Sequence, residues 1–270
     1  MRIVNLSSGS KANSTFVGFN DTKILIDAGL NEKKLCESLL EIGENIENIK
    51  SVFVTHEHID HIRAIKNLAK KTEIDFYFHK ELIDSGALKD FKFKEGKLHS
   101  FTNDIINIGD LQIQPFDISH DAVHPVGFVV NVFGSTSKVG FVTDLGIVTD
   151  TVKRALVKSK IVFIESNYDE QMLLGGTYPF LLKRRILGEK GHLSNAQSLE
   201  LAKYLFDNGT KCFVLSHISE NNNTYELALA NFVDYFANNN VKLNQDVIVK
   251  VSFQMKHGNN YVLKEEYNGK

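Results

Sequence analysis

One short segment limits what this chain can fold into more than any other feature of its sequence. Residues 54–62, VTHEHIDHI, place three histidines and an aspartate within six positions, directly after an apolar run typical of a strand. In extended backbone His56 and His58 project to the same side, because side chains repeat every second residue, while Asp60 and His61 fall near the start of a helical pattern. Imidazole and carboxylate groups together suit zinc, manganese or iron. The segment predicts a metal site, and the alternative is a solvated loop that is merely rich in histidine.

Composition otherwise describes an ordinary globular protein. The two cysteines, Cys36 and Cys212, lie far apart in no Cys-x-x-Cys pattern, which argues against a disulfide framework and a thiolate metal site. No stretch approaches the ~20 apolar residues of a membrane span, and the N-terminus lacks the pattern of a signal peptide. We therefore expect a cytoplasmic protein that does not bind membranes. The net charge of −2 means that any polyanion must bind to a local basic patch.

Apolar periodicity predicts a chain of mixed strands and helices. The predicted strands span 2–6, 14–19, 22–28, 50–56, 76–78, 111–119, 127–133, 137–144, 160–166, 211–217 and 246–252. The predicted helices span 31–42, 60–71, 150–159, 179–188, 194–207 and 224–238. The sequence contains no internal repeat and no linker, so we expect a single domain over 1–270. Strands cluster in the first half and alternate with helices in the second, which favours an α/β (α+β) fold with a sheet-on-sheet core flanked by helices.

Polar residues that can bind metal or move protons follow several of these predicted strands. His120, Asp144, Glu165 and His217 each stand at the end of an apolar run, as His56 does. A rigid sheet holds such strand ends close together, and loops at the ends carry the chemistry. The sequence therefore predicts that these distant residues meet at one site.

These motifs, taken in order, resemble the metallo-β-lactamase superfamily. After His-x-His-x-Asp-His the matching motifs are SHD (119–121), TDLG (143–146) and SHIS (216–219). The segments that narrow the resemblance to the YycJ (also called WalJ) branch include SSGSKANST (7–15), ILIDAGL (24–30) and YPFLLKRRILGEKGHLSN (178–195). The resemblance covers nearly the whole chain. It implies an αββα sandwich of two mixed sheets flanked by helices, with the site at one edge.

The resemblance also implies two divalent ions, zinc or manganese, with iron a further option. The ligands that it implies are His56, His58 and His120 for the first ion, Asp60, His61 and His217 for the second, and Asp144 between them. Asp60 is counted among the catalytic residues as well. Seven nitrogen and oxygen ligands are too many for one tetrahedral ion. Two ions that share them keep open coordination positions for catalysis. His124 lies four residues after His120 and competes with it; we prefer His120, which directly follows the strand, and leave open whether His124 assists or replaces it.

Glu165 and His192 resemble a catalytic pair of the tRNA 3′-processing branch, in which the glutamate orients the histidine. Ser194 and Gln197 form a capping-box pattern, which places His192 in a turn at a helix N-terminus. An imidazolium held by a carboxylate can protonate the leaving oxygen of a phosphodiester. The alternative is that His192 only caps the helix and Glu165 only ends a strand.

A dense basic triplet, Lys183, Arg184 and Arg185, lies between two aromatic residues and His192. Most such runs form a solvated helix face. The position of this triplet so close to His192 favours instead a rim that binds the phosphates of a nucleic acid. The triplet is the main argument from the residues themselves for a nucleic-acid substrate.

We therefore predict a metal-dependent phosphodiesterase that acts on nucleic acid, with DNA favoured. The resemblance to the YycJ branch implies a DNA exonuclease that degrades from a 5′ end and is linked with mismatch repair. A small-molecule thioester or lactone hydrolase could use the same seven ligands. A non-catalytic binding module is a further alternative, and the intact ligand set counts against it.

Overall fold

Two seven-stranded sheets form the centre of the protein. The computed structural model describes residues 1–267, and the last three positions of the predicted domain, 268–270, lie outside the described part. The first sheet contains β1 (Arg2–Ser7), β2 (Ser14–Phe19), β3 (Thr22–Ile26), β4 (Ser51–Phe53), β5 (Asp75–His79), β6 (Leu98–Phe101) and β14 (Asn260–Val262). The second contains β7 (Ile106–Ile108), β8 (Leu111–Asp117), β9 (Val126–Val132), β10 (Lys138–Val142), β11 (Ile161–Glu165), β12 (Cys212–Ser216) and β13 (Ile248–Val251).

Both sheets are mixed, as predicted. The first has the order β14-β1-β2-β3-β4-β5-β6, antiparallel from β14 to β3 and parallel from β3 to β6. The second has the order β13-β12-β11-β10-β9-β8-β7, parallel from β13 to β10 and antiparallel beyond it. The pairing of β14 with β1 joins the two ends of the described chain in one sheet.

Most of the helices cover the outer faces of the two sheets. The α-helices are α1 (Glu32–Glu41), α2 (Ile59–Ile62), α3 (Ile65–Lys71), α4 (Lys80–Asp84), α5 (Asp150–Leu156), α6 (Glu170–Gly175), α7 (Phe180–Ile186), α8 (Asn195–Asp207) and α9 (Tyr225–Asn238). Helices α6 and α7 pack with Tyr168 in a small cluster of their own. None of the helices within residues 1–267 has the length and apolar character needed to cross a membrane.

Three apolar layers hold the four-layered structure together. The central layer lies between the sheets, where Phe53 of β4 meets Phe128 of β9 edge to face at 5.9 Å. A second layer packs the first sheet against α1 and α3, and a third packs the other sheet against α5, α8 and α9. Such layers form because each sheet face and each helix stripe must bury its apolar side chains. The predicted αββα sandwich is confirmed.

The prediction of one continuous helix over 60–71 is wrong, because the structure has two helices there, α2 and α3. The backbone N–H of Ala28 donates to the carbonyl of His61 at 2.8 Å, and the N–H of Ala64 donates to the carbonyl of Ala28 at 2.9 Å. These groups bond to a neighbouring loop rather than along one helix. The interruption therefore fixes His61 against the first sheet.

Six short elements are not predicted from the sequence: β6, β7, β14, α4, α6 and a 3-10 helix at Ile46–Asn48. Each has three to six residues, which is too short for a periodic pattern to identify. The other predicted strands and helices are present, and their ends differ from the prediction by up to three residues. Element ends commonly differ by this much, because they depend on caps and on tertiary contacts.

Candidate metal centre

The segments that follow β4, β8, β10 and β12, including the short helix α2, carry all seven predicted ligands and bring them together at one edge of the sandwich. Strands β10, β11 and β12 are parallel neighbours, so their carboxyl ends lie side by side. Sites of α/β proteins commonly form at such ends. The arrangement gathers residues that lie up to 161 positions apart, from His56 to His217.

The first predicted group, His56, His58 and His120, has candidate ligand atoms within 4.8 Å of one another. The His56 Nε2 and His58 Nδ1 atoms are 3.1 Å apart, and the His120 Nε2 atom is 3.3 Å from the same His58 atom. The other ring nitrogen of His120 lies 3.1 Å from the carbonyl oxygen of Gly191, which orients the ring. Burial lowers the pKa of His56 and of His120, so both rings favour the neutral form that binds metal.

The second predicted group, Asp60, His61 and His217, also has its candidate ligand atoms within 4.8 Å. Asp144 lies between the two groups. Its Oδ2 atom is 3.3 Å from His61 Nε2, and its Oδ1 atom is 3.5 Å from His217 Nε2. The same Oδ1 atom is 3.8 Å from His120 Nε2. Asp144 is therefore adjacent to members of both groups, as its predicted bridging position requires.

Two features of this cluster fit a bound cation. The buried atoms His217 Nε2 and Asp144 Oδ2 lack a well-formed hydrogen bond, although buried polar atoms are nearly always satisfied. Burial by itself lowers the pKa of His217, but Asp144 and Glu165 outweigh burial and raise it to about 9. The carboxylates thus favour positive charge at this position. Divalent ions would satisfy both the unpartnered atoms and the local negative charge.

Asp27 lies beside the candidate ligands, although it was not predicted from the sequence. Its Oδ2 atom accepts hydrogen bonds from His61 Nδ1 and from Thr55 Oγ1, each at 2.8 Å, and its Oδ1 atom accepts from the backbone of Thr55. A carboxylate behind a metal-binding histidine fixes the tautomer and the orientation of the ring. The available signal was the position of Asp27 just after a buried strand, in ILIDAGL.

The loop between β1 and β2 supports the same ligands. The Asn13 amide donates to Asp60 Oδ2 at 3.1 Å, and the Ser8 hydroxyl accepts from the backbone N–H of His217 at 2.8 Å. The next loop passes so close that a Cβ atom at Gly29 would lie 1.5 Å from the carbonyl oxygen of Asp60. Only glycine allows this approach. Ser8, Asn13 and Gly29 were likewise not identified from the sequence.

Glu165 and His192 are in direct contact. His192 Nδ1 donates to Glu165 Oε1 at 2.9 Å, and His217 Nδ1 donates to the same oxygen at 2.8 Å. The Oε2 atom accepts from two backbone N–H groups. Burial raises the pKa of Glu165, but the charges and hydrogen bonds of His192 and His217 outweigh burial and hold the pKa at about 2. The carboxylate stays charged beside both rings, and the catalytic role of the pair stays a prediction.

His124 lies against groups other than the candidate ligands. Its Nε2 atom is 3.0 Å from Asp117 Oδ1 and its Nδ1 atom is 3.2 Å from Glu81 Oε2. The ring stacks on His79 with the centroids 3.5 Å apart. Of the two histidines that competed in the sequence, His120 is the one that the structure brings to the cluster.

The basic triplet separates into three environments. The Lys183 ammonium donates to two backbone carbonyls at the end of α6, at 2.6 and 2.7 Å. The Arg185 guanidinium forms a two-bond pair with Asp121, next to His120. Within residues 1–267 the exposed Arg184 side chain makes no hydrogen bond and no ion pair. Two of the three predicted phosphate-binding cations therefore bond to protein groups.

Comparison with known proteins assigns the chain to a protein superfamily. Residues 22–218 match the beta-lactamase superfamily domain, and the chain belongs to this superfamily. Its fold is that of the metallo-β-lactamase proteins: the YhfI protein of Bacillus subtilis superimposes with a TM-score of 0.71 at 16% identity, over 96% of this chain and 98% of that one.

Two relatives are considerably closer in sequence. The chain is 34% identical to the exodeoxyribonuclease WalJ of Streptococcus pneumoniae serotype 2 (strain D39 / NCTC 7466), over 86% of this chain and 87% of that protein. It is also 34% identical to the exodeoxyribonuclease YycJ of Bacillus anthracis, over 83% of this chain and 84% of that protein. The predicted resemblance to the YycJ branch is confirmed.

Proposed function

We propose that this protein is a metal-dependent exodeoxyribonuclease. The observation that carries the proposal is the complete cluster of seven candidate ligands with the Glu165–His192 pair beside it. Support for DNA as the substrate comes from the two relatives named as exodeoxyribonucleases, which align with most of the chain. We further propose that degradation begins at a 5′ end and serves repair, as the resemblance to that branch implies.

For metal binding, the chain provides a set of ligands that the fold holds in place. The residues that would hold the ions are His56, His58, Asp60, His61, His120, Asp144 and His217. Zinc or manganese bound there would supply Lewis acidity and lower the pKa of water for hydrolysis. Asp27, Glu165 and the carbonyl of Gly191 hold three of the histidine rings in place. A site that is oriented in advance needs little rearrangement when the substrate binds.

His192 is suited to donate the proton that the departing strand needs. Its Nδ1 atom is bonded to Glu165, so Nε2 is the ring nitrogen left for the substrate. The side chain is only partly buried, whereas Glu165 is fully buried. A buried, charged carboxylate stabilises the imidazolium and keeps the ring oriented. An alkoxide is a poor leaving group, so protonation by a positioned acid accelerates departure of the strand.

The test is a nuclease assay with end-labelled substrates. Single- and double-stranded DNA and matched RNA, labelled at the 5′ or the 3′ end, are incubated with the protein and with zinc, manganese or iron in turn. We expect early release of the 5′ label from DNA and loss of this activity in Asp144→Asn. Failure to cleave any nucleic acid with any metal, together with hydrolysis of a thioester or a lactone, would establish the small-molecule alternative instead.

A further inference from the structure

An exposed apolar groove lies on α7, the helix whose last turn contacts the loops of the candidate metal centre. Leu174, Phe180 and Leu187 are exposed by 61%, 76% and 45%, and together with Tyr178 they line a groove of about 580 Å³. Large apolar side chains that cluster in one exposed groove indicate an interaction surface. The nuclease mechanism proposed above makes no use of these residues.

Hydrogen bonds hold the groove in shape. Lys183 donates to the carbonyl oxygens of Leu174 and Gly176, which ties α7 to the end of α6. The Tyr178 hydroxyl accepts a hydrogen bond from the Asn221 amide at 2.9 Å. A surface fixed in advance loses little conformational freedom when a partner binds. The groove is therefore a formed site rather than a frayed loop.

The charge in the groove identifies the kind of partner. Arg184 lines it, is exposed, and bonds to no other side chain in the part of the chain that the structure describes. An unbonded cation beside an exposed aromatic ring is the combination that binds single-stranded nucleic acid, because bases stack on the ring while phosphates meet the cation. A purely apolar partner would leave Arg184 without a counter-charge.

Helix α7 connects the groove to the candidate centre. At the far end of this helix Arg185 pairs with Asp121, and the carbonyl of Ile186 accepts from the backbone N–H of His192 at 3.0 Å. Phe180 lies about 8 Å from Arg185 along the axis, at 1.5 Å per residue. A strand whose end reaches the centre can therefore extend over the groove.

We propose that this groove binds unpaired nucleotides of the DNA strand being degraded, with a base stacked on Phe180 and a phosphate bound by Arg184. The inference rests on the proposed function and specifies the form of its substrate. A base inside a duplex has both faces covered by its neighbours and offers none to Phe180. The groove therefore selects single strands or frayed ends over intact duplex.

Binding measurements test the groove directly. The metal-loaded protein is titrated with a fluorescent single-stranded oligonucleotide whose 5′ linkages are phosphorothioates that resist cleavage. We expect Phe180→Ser to weaken binding roughly 5- to 100-fold, the loss of one stacked base. Arg184→Ser should reduce the slope of log K against log salt by about 0.7, the value for one phosphate of a single strand.

The matched control is Phe133→Ser. Phe133 is exposed by 63%, and it lies in the turn between β9 and β10, at the end of these strands opposite to Asp144. This variant should bind the oligonucleotide like the unaltered protein. Phe180→Ser should also raise the KM for single-stranded DNA, while hydrolysis of bis(4-nitrophenyl) phosphate stays unchanged because the metal ligands and His192 are intact.

Two results would overturn the proposal. One is single-strand affinity in Phe180→Ser equal to that of Phe133→Ser. The other is a change from dimer to monomer in sedimentation with DNA affinity unaltered, which would assign the groove to a second copy of this chain. Failure of the unaltered protein to cleave DNA would count against the proposed function alone, because the binding comparison does not depend on cleavage.

Discussion

At the scale of single residues, outer hydrogen bonds fix three of the candidate metal-binding rings. Asp27 bonds to His61, the carbonyl of Gly191 lies against His120, and Glu165 bonds to His217. Such bonds decide which ring nitrogen carries the proton and which faces the ion. The fold therefore sets the geometry of the centre before any ion binds.

The bond from His61 to Asp27 gives the first prediction. Asp27→Asn keeps the size of the side chain but removes the charge that supports His61. We expect metal affinity or activity to fall about 10- to 100-fold, the usual effect of losing such a partner. Competition with a chromophoric chelator measures the affinity. Asp21→Asn, at an exposed turn, is the control, and equal affinity in the two variants would contradict the role of Asp27.

A second prediction concerns His192 as the proton donor. His192→Ala should lower kcat on DNA about 10²- to 10⁴-fold, with KM little changed, because a positioned acid acts on the chemical step. The loss should be small on a nitrophenyl phosphodiester, whose leaving group departs without a proton. His257→Ala, at an exposed position, is the control. Equal losses on the two substrates would show that His192 only supports the fold.

At the scale of elements, α7 shows how one run of like charges divides into separate roles. Lys183 connects α7 to α6, Arg185 holds the helix against the loop that carries His120, and Arg184 lines the groove. The sequence offers three equivalent cations. Their roles differ because consecutive helical residues project in different directions, about 100° apart at 3.6 residues per turn.

The third prediction follows from this division. Lys183→Met removes two charged hydrogen bonds and should lower the free energy of unfolding by about 1–3 kcal/mol. Arg184→Ser should change it by less than about 0.5 kcal/mol, as expected for an exposed residue without partners. Urea unfolding of both variants measures the difference. Equal stability of the two would mean that Lys183 does not support the groove.

Prediction from sequence succeeded where local residues determine the structure. The capping box of Ser194 and Gln197 is confirmed, since both of its hydrogen bonds form within four residues. The break between α2 and α3 could not be predicted, because it depends on backbone bonds to Ala28, far away in the chain. Asp27 was missed for a similar reason: only the fold places it behind His61.

At the scale of the whole molecule, metal binding and folding are linked. The candidate ligands lie on four segments spread between His56 and His217, so an unfolded chain holds no assembled site. Any ligand that binds only the folded form stabilises it by mass action, by about 2.7 kcal/mol at a hundredfold excess over Kd. The sandwich gathers the ligands, and the ions in turn should hold the two sheets together at this edge.

The fourth prediction is the pH dependence of the metal-free protein. Carboxylates outweigh burial to raise the pKa of His217 from 6.5 to about 9, and His61 shifts in the same direction. A raised histidine pKa contributes stability that is complete below pH 6.5 and is lost as the pH rises through about 9. Below pH 6.5 the stability falls as the pH falls. The reason is that His56 and His120 have lowered pKa values and resist protonation in the folded state, whereas the unfolded chain takes up these protons. Chelated protein should therefore have its highest Tm near pH 6.5.

Bound metal should change this profile, because ions compete with protons for the same ring nitrogens. The Tm difference between metal-loaded and chelated protein should therefore widen from pH 6.5 to pH 9, as the chelated form loses stability and the rings bind metal more tightly. Thermal unfolding in matched buffers, with and without chelator, measures both curves. A chelated protein as stable at pH 9 as at pH 6.5 would show that the carboxylates around His61 and His217 do not hold these rings in the charged form.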